Sequence, residues 1–272
     1  MSDASVRAAL RSDEKLVVIE APAGCGKTHQ GADYARETAV TASGRLLILT
    51  HTHAACSVFA ERTRRTGSRV VIRTIDSLIG QIAGAYHTGL GIPADVAAWA
   101  RRTEDGYAQL AMKVATFVDR HPMVSSALAR RYPVVICDEH QDCSGDQHAL
   151  AMALHRQGAR LRVFVDPVQR IYKDKILPGG KPSADWSSLT REAGAFEQLD
   201  TPHRWNDGCT ELGAWTLRAR EALKAGGRLD LRRDRPRSVE VVIAENRSRR
   251  WGDYQLSGTD RRPIDTFVQA HD

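Results

Sequence analysis

The stretch "KLVVIEAPAGCGKT", residues 15–28, joins an apolar run to a loop of small residues. Residues 15–20 have the length and β-branched composition of a buried strand, and residues 27–39 have the pattern of a helix. A strand, a loop with glycines at positions 24 and 26, and a helix that begins with Lys27 and Thr28 are the context of a phosphate-binding loop. The stretch therefore predicts an α/β nucleotide-binding fold.

The loop chemistry follows from these residue types. Glycines let backbone N–H groups approach phosphate oxygens, and the start of the helix turns its positive dipole end toward them. We expect the loop to bind ATP through Ala23, Gly24, Cys25, Gly26, Lys27 and Thr28, with the Thr28 hydroxyl also on Mg²⁺. Ala21 replaces the usual first glycine of the motif, at the loop entrance, where a small residue suffices. The alternative is a glycine-rich turn without a ligand.

Apolar runs recur along the chain and alternate with helical patterns. The predicted strands are residues 15–20, 45–50, 69–74, 133–138, 161–166, 196–200 and 238–244. Strands of this kind without polar alternation predict a parallel sheet with helices on both faces. Residues 93–131 look all-helical and predict a short helical insert, and residues 173–190 predict a surface loop.

Composition sets limits on the class of protein. The chain has 272 residues, a formal net charge of +6 and a pI near 9.2, a balance that favours polyanionic partners. No apolar run is long enough to span a membrane, so we expect no membrane partner. The five cysteines have no zinc-type spacing, and we expect reduced thiols and a cytoplasmic location.

A second motif, "VVICDEHQD" (134–142), ends an apolar strand with two acids. Beside a phosphate loop, Asp138 is placed to hold Mg²⁺, and Glu139 to orient and deprotonate an attacking water. A solvated strand end would be the interpretation if the phosphate loop were missing.

At this point the sequence resembles a known family, the UvrD/Rep-like superfamily 1 DNA helicases. Five stretches match its motifs in the order in which the family has them. They are "LTHTHAACSVFAERT" (49–63), "RTIDSLI" (73–79), "DEHQD" (138–142), "VFVDPVQRIY" (163–172) and "TPHRW" (201–205). The resemblance implies a RecA-like P-loop domain made of residues 1–92 and 132–225. Residues 93–131 would be a 1B-like insert. Residues 226–272 would be the partial start of a second domain or a flexible tail.

The resemblance also implies residue roles. Gln169 would sense the γ-phosphate, Arg204 would stabilise transition-state charge, and His203 would lie near the adenine. Single-stranded DNA would contact Thr50, His51, Thr52, His53, Thr74, Asp76, Ser77 and Tyr172. The implied activity is ATP hydrolysis coupled to single-stranded DNA or tailed DNA, with 3′–5′ polarity.

The sequence departs from the family at several positions. Ile75 and Asp76 stand where the family has an aromatic residue and a histidine, so one base-stacking platform is missing. The motifs of a second motor domain, including its arginine finger, do not follow, so we expect a truncated motor that uses a partner protein or a second motor domain. The alternative is a non-unwinding ATPase or ATP-gated switch. The "DEHQD" and Gln169 motifs disfavour a small-molecule kinase.

Overall fold

The computed structural model describes residues 2–170, 176–241, 247–250, 253–256 and 258–269. The chain forms two compact units, residues 1–203 and 204–272. The helices of the first unit are α1 (Ser2–Arg11), α2 (Lys27–Thr41), α3 (His53–Arg62), α4 (Ile75–Ala85), α5 (Val96–Arg102), α6 (Gly106–Arg120), α7 (Pro122–Arg131), α8 (Gly145–Arg156) and α9 (Trp186–Glu192). Its strands are β1 (Leu16–Glu20), β2 (Leu46–Thr50), β3 (Val70–Thr74), β4 (Val134–Cys137), β5 (Arg160–Val165) and β6 (Ala195–Gln198).

These six strands form one sheet in the order β3-β2-β4-β5-β1-β6, and every pair is parallel. Strands β1, β2 and β4 are buried along their whole length, as expected for strands covered on both faces. The edge strands β3 and β6 are only partly buried. The predicted parallel α/β sheet of the RecA-like type is therefore confirmed.

Local sequence explains where the helices around the sheet begin. The Thr52 and Thr74 side chains accept backbone N–H bonds at the starts of α3 and α4, and Asp95 does the same for α5. Helix α8 begins with a capping box in which Ser144 and Gln147 bond each other's backbone. Three of the helices, α5 to α7, fill residues 96–131, where the sequence predicts an all-helical segment.

The structure differs from the sequence predictions at two places. Within the predicted loop 173–190, residues 186–192 form α9, and residues 173–175 lie outside the described part. Of the predicted strand 238–244, residues 238–241 are not in a strand, and the other three lie outside the described part. Within residues 226–272, predicted to be the partial start of a second domain or a flexible tail, the structure describes β7 (Arg247–Arg250), β8 (Asp253–Leu256) and α11 (Gly258–Gln269), and β7 pairs with β8 antiparallel.

The second unit also contains α10 (Thr210–Lys224). This helix was assigned from sequence to the main domain, with a boundary after residue 225, whereas the compact units divide after residue 203. The assignment of residues 226–272 to the start of a second motor domain stays a prediction.

Candidate nucleotide site

All six strands are parallel, so their carboxyl ends meet at one edge of the sheet, where ligands bind in open α/β folds. The phosphate loop follows β1, and Asp138 follows β4. Strand β5 lies between these two strands, and Asp166 directly follows it. The sheet order therefore brings the phosphate loop and the acidic motif, which are more than a hundred residues apart, to the same edge.

The loop has the backbone that a phosphate cradle needs. Gly24 and Gly26 have φ angles of 73° and 83°, in the left-handed region that favours glycine. Helix α2 begins immediately after them, at Lys27. Ala21 is fully buried, and its N–H donates to Val165 O at 2.8 Å, which extends the β1–β5 pairing. An alanine methyl group is therefore accommodated where the motif usually has glycine.

Lys27 connects the loop to the acidic motif. Its Nζ forms an ion pair with Glu139 and lies 4.0 Å from Asp138 Oδ1. Glu139 has a φ of 51°, an uncommon backbone conformation for a residue with a Cβ, of the kind found at functional sites. The two acids and the lysine thus form one charge cluster, and a bound γ-phosphate would compete with Glu139 for the lysine.

The two acids have different electrostatics. Burial raises the pKa of Asp138 to about 6, and the positive charge of Lys27 only partly offsets this effect. Burial also pushes the pKa of Glu139 upward, but the charge and hydrogen bond of Lys27, the Gln141 hydrogen bond and nearby His51 together outweigh it, and the pKa falls below the ordinary value. Glu139 is thus kept ionised, as a residue that accepts a proton from water must be.

Gln141 is a residue that the sequence reasoning did not assign. Its side chain is buried, and its Nε2 donates to Glu139 Oε2 at 2.7 Å. Its Oε1 accepts the backbone N–H of Asp166 at 2.9 Å. Gln141 therefore holds the carboxylate of Glu139 in place from the end of β5. The signal was its place in the "DEHQD" motif.

The residues present fit a magnesium ion. Asp138 Oδ1 is buried and has no hydrogen-bond partner among the described residues. A buried carboxylate oxygen of this kind is costly unless a cation or a donor satisfies it. Mg²⁺ prefers carboxylate, hydroxyl, phosphate and water oxygens, which Asp138, Thr28 and a nucleotide would supply.

His203 is brought to the phosphate loop. A Cβ atom placed on Gly26 would lie 3.2 Å from His203 Cδ2, so the imidazole ring lies directly beside the loop. The His203 Nε2 lies 2.8 Å from Asp3 Oδ2 in α1. The predicted position of His203 near the adenine stays a prediction, and the contact with α1 is one that the sequence does not indicate.

Three predicted DNA-contacting threonines carry structural hydrogen bonds. Thr50 is buried, and its hydroxyl donates to Thr52 O at 3.1 Å. The Thr52 and Thr74 hydroxyls accept the N–H groups of Ala55 and Ser77, each at 3.1 Å. These bonds position α3 and α4 at the carboxyl edge, and direct DNA contact by these residues stays a prediction.

The other described residues that are predicted to contact single-stranded DNA differ in exposure. His53, Asp76 and Ser77 are exposed at the starts of α3 and α4. His51 is partly buried, its Nε2 lies 3.4 Å from Cys143 Sγ, and burial lowers its pKa despite the nearby carboxylates. His51 therefore faces the acidic motif.

Of the three remaining predicted site residues, the structure describes two, Gln169 and Arg204. Gln169 is exposed in a short 3₁₀ helix, Pro167–Gln169, directly after β5. Arg204 belongs to the second compact unit, where its guanidinium carbon lies 5.8 Å from the centre of the Trp205 ring. Tyr172 lies outside the described residues.

A family model described as "AAA domain" matches residues 5–175. The chain belongs to this family. The match covers well over half of the chain and identifies a superfamily 1 helicase ATP-binding domain. It includes the phosphate loop, the acidic motif and Gln169, and it ends before His203 and Arg204.

Among solved structures, the Pif1 helicase from Candida albicans is similar, with 15% sequence identity and a TM-score of 0.48. The alignment covers 85% of this chain and 48% of that chain, so this protein spans about half the length of that helicase. A search of curated protein sequences finds no match. Within the residues that the structure describes, no helix has the length and apolarity needed to cross a membrane.

Proposed function

We propose that the chain binds ATP·Mg²⁺, hydrolyses the γ-phosphate bond and couples this reaction to single-stranded DNA. It would be the first motor domain of a UvrD/Rep-type helicase or translocase with 3′–5′ polarity. The proposal rests mainly on one observation, the cluster of Lys27, Asp138, Glu139 and Gln141 at the carboxyl edge of the sheet. Each member has the residue type and position that nucleotide hydrolysis requires.

The proposed reaction uses these residues in separate roles. The loop N–H groups and Lys27 would bind the phosphates, while Asp138 and Thr28 would hold Mg²⁺, which would neutralise charge on the β- and γ-oxygens. Glu139 would accept a proton from the attacking water. Gln141 would keep the Glu139 carboxylate oriented after Lys27 has moved to the phosphate.

A second candidate is an ATP-gated switch that binds DNA or a partner protein and does not unwind. The observation that favours it is the ion pair between Lys27 and Glu139. A Glu139 carboxylate paired with Lys27 would not be free to act as a base, so hydrolysis would require a nucleotide that draws Lys27 away. ATP binding would release Glu139, and this release would itself be a conformational signal.

The experiment is a phosphate-release assay on the purified chain, with and without single-stranded DNA. The proposal expects DNA to stimulate hydrolysis, and expects both Lys27→Ala and Glu139→Gln to abolish it. Lys27→Ala should also lose ATP binding, whereas Glu139→Gln should retain it. Hydrolysis that DNA does not change, together with ATP-dependent binding of DNA, would favour the switch. No ATP binding by the wild-type chain would contradict both candidates.

A further inference from the structure

A groove of about 520 Å³ lies between α4, α5 and α6 in the first compact unit. Its lining includes three residues predicted to contact single-stranded DNA, His53, Thr74 and Ser77. It also includes Gly80, Gly84 and Tyr107, to which no helicase motif assigns a role. The volume is in the usual range for ligand pockets. We propose that this groove takes one unstacked base of the single strand, with Tyr107 as its stacking platform. The inference rests on the proposed binding of single-stranded DNA.

Two glycines of α4 line the groove. Gly80 and Gly84 lie one turn apart on α4, and a Cβ added at either would meet nothing within 4 Å. Glycine inside a helix costs about 1 kcal/mol relative to alanine. Packing among the described residues does not require glycine at either position. The open space above α4 is therefore available to a ligand.

Tyr107 is exposed, and the packing of α6 against α5 fixes the position of its backbone. Its side chain is 54% exposed, and the described residues give it neither an aromatic neighbour nor a hydrogen-bond partner. It lies in the first turn of α6, next to Gly106, where a Cβ would lie 2.1 Å from Ala100 O. The start of α6 is thus seated directly on the end of α5. Tyr107 therefore presents an exposed ring from a fixed backbone position. A tyrosine side chain has only two χ angles, so ordering it against a base costs little conformational entropy.

The polar groups around the groove suit a base inside and a phosphate at the entrance. Asp76 and Asp95 line the groove, which disfavours a phosphate within it but allows a carboxylate to accept an N–H of a base, such as the ring N3–H of thymine. Arg73 lies beside this lining, with its Nη1 3.5 Å from Ser77 Oγ. The Arg73 guanidinium carries a positive charge and can donate to a phosphate oxygen at the entrance.

This arrangement compensates for the missing aromatic residue of the "RTIDSLI" segment. Ile75 replaces the family's aromatic residue and is buried in the core, so it cannot stack on a base. Tyr107, from the helical insert, lines the same groove as Thr74 and Ser77. The stacking surface is therefore supplied by a different element of the fold.

The test measures binding of a short fluorescein-labelled oligothymidylate by anisotropy, using the full chain. Stacking of one base predicts that Tyr107→Ala weakens the affinity roughly 5- to 150-fold. Tyr107→Phe should bind like the wild type because it keeps the ring. Gly84→Leu, which fills the groove, should bind as weakly as Tyr107→Ala. Tyr86→Ala serves as the control, because Tyr86 is another exposed tyrosine that does not line this groove.

An oligonucleotide in which every site is abasic distinguishes base stacking from contact with the sugar-phosphate backbone. On this strand the wild type and Tyr107→Ala should bind with equal affinity, because no base is present to stack. If Tyr107→Ala binds the oligothymidylate as tightly as the wild type does, the stacking role is overturned and the proposed function stands. If the wild type binds no single strand at all, the proposed function itself fails and the inference fails with it.

Discussion

Replacing Asp138 with asparagine should stabilise the protein and abolish its hydrolysis. The carboxyl group is only 4% exposed, and its pKa is raised from 3.8 to about 6, chiefly by burial. At about 1.4 kcal/mol for each pKa unit, the ionised carboxylate costs the fold about 3 kcal/mol at pH 7. Asparagine removes the charge but leaves a buried amide to be satisfied, at a cost of about 1 kcal/mol or more, so we expect a net gain of up to about 2 kcal/mol.

The direction in which the stability difference changes with pH follows from the raised pKa of Asp138. The folded protein keeps the Asp138 proton to a higher pH than the unfolded chain does. The cost is therefore absent below the unfolded pKa of 3.8 and grows until the pH passes about 6. The stability advantage of Asp138→Asn should be smaller at pH 5 than at pH 8 by about 1.4 kcal/mol, because the cost of the buried amide does not change with pH.

The assay is urea unfolding followed by circular dichroism at pH 5 and pH 8, without nucleotide. Asp119→Asn is the matched control, since this carboxylate is half exposed, and the change should stay within about 0.5 kcal/mol. The reasoning is refuted if Asp138→Asn is less stable than the wild type at pH 8, or if its advantage is the same at both pH values.

Three further substitutions test other parts of the structure. Gly26→Ala forces a φ of 83° on a residue with a Cβ beside the His203 ring; it should cost about 1–2 kcal/mol in thermal unfolding and weaken ATP binding in calorimetry. Gln141→Ala leaves the buried N–H of Asp166 without its partner, so stability should fall by about 1–3 kcal/mol and hydrolysis should slow while ATP still binds. Arg162→Met removes a fully buried guanidinium that donates to four backbone carbonyls, and urea unfolding should show a loss of about 3 kcal/mol or more.

Much of the sheet could be predicted from the sequence because its strands are nearly continuous apolar runs. Strands β1 and β2 and the predicted runs agree to within one residue at each end. The charged segment Arg247–Arg250 lacks such a run, so its pairing with β8 gave no periodic signal. The helix Trp186–Glu192 also could not be predicted, because its first residues lie within a stretch rich in loop-forming residues.

The candidate site was predictable where a motif names the residue. The positions of Lys27, Asp138 and Glu139 follow from a strand, its motif and the parallel sheet. The bridge from Gln141 to Asp166 does not follow, because it depends on β5 lying beside β4 in the folded sheet. The place of Tyr107 depends on how α6 packs against α5, which the sequence pattern does not encode.

The most direct test of the account is whether the nucleotide at the phosphate loop changes the affinity for single-stranded DNA. The Glu139→Gln variant should bind ATP·Mg²⁺ without hydrolysing it, so the affinity of this variant for a labelled single strand can be measured at equilibrium with and without ATP. The account predicts that ATP shifts this affinity, and that the strand shifts the affinity for ATP by the same factor. Equal strand affinities with and without saturating ATP would show that the two sites are not coupled and would contradict the account.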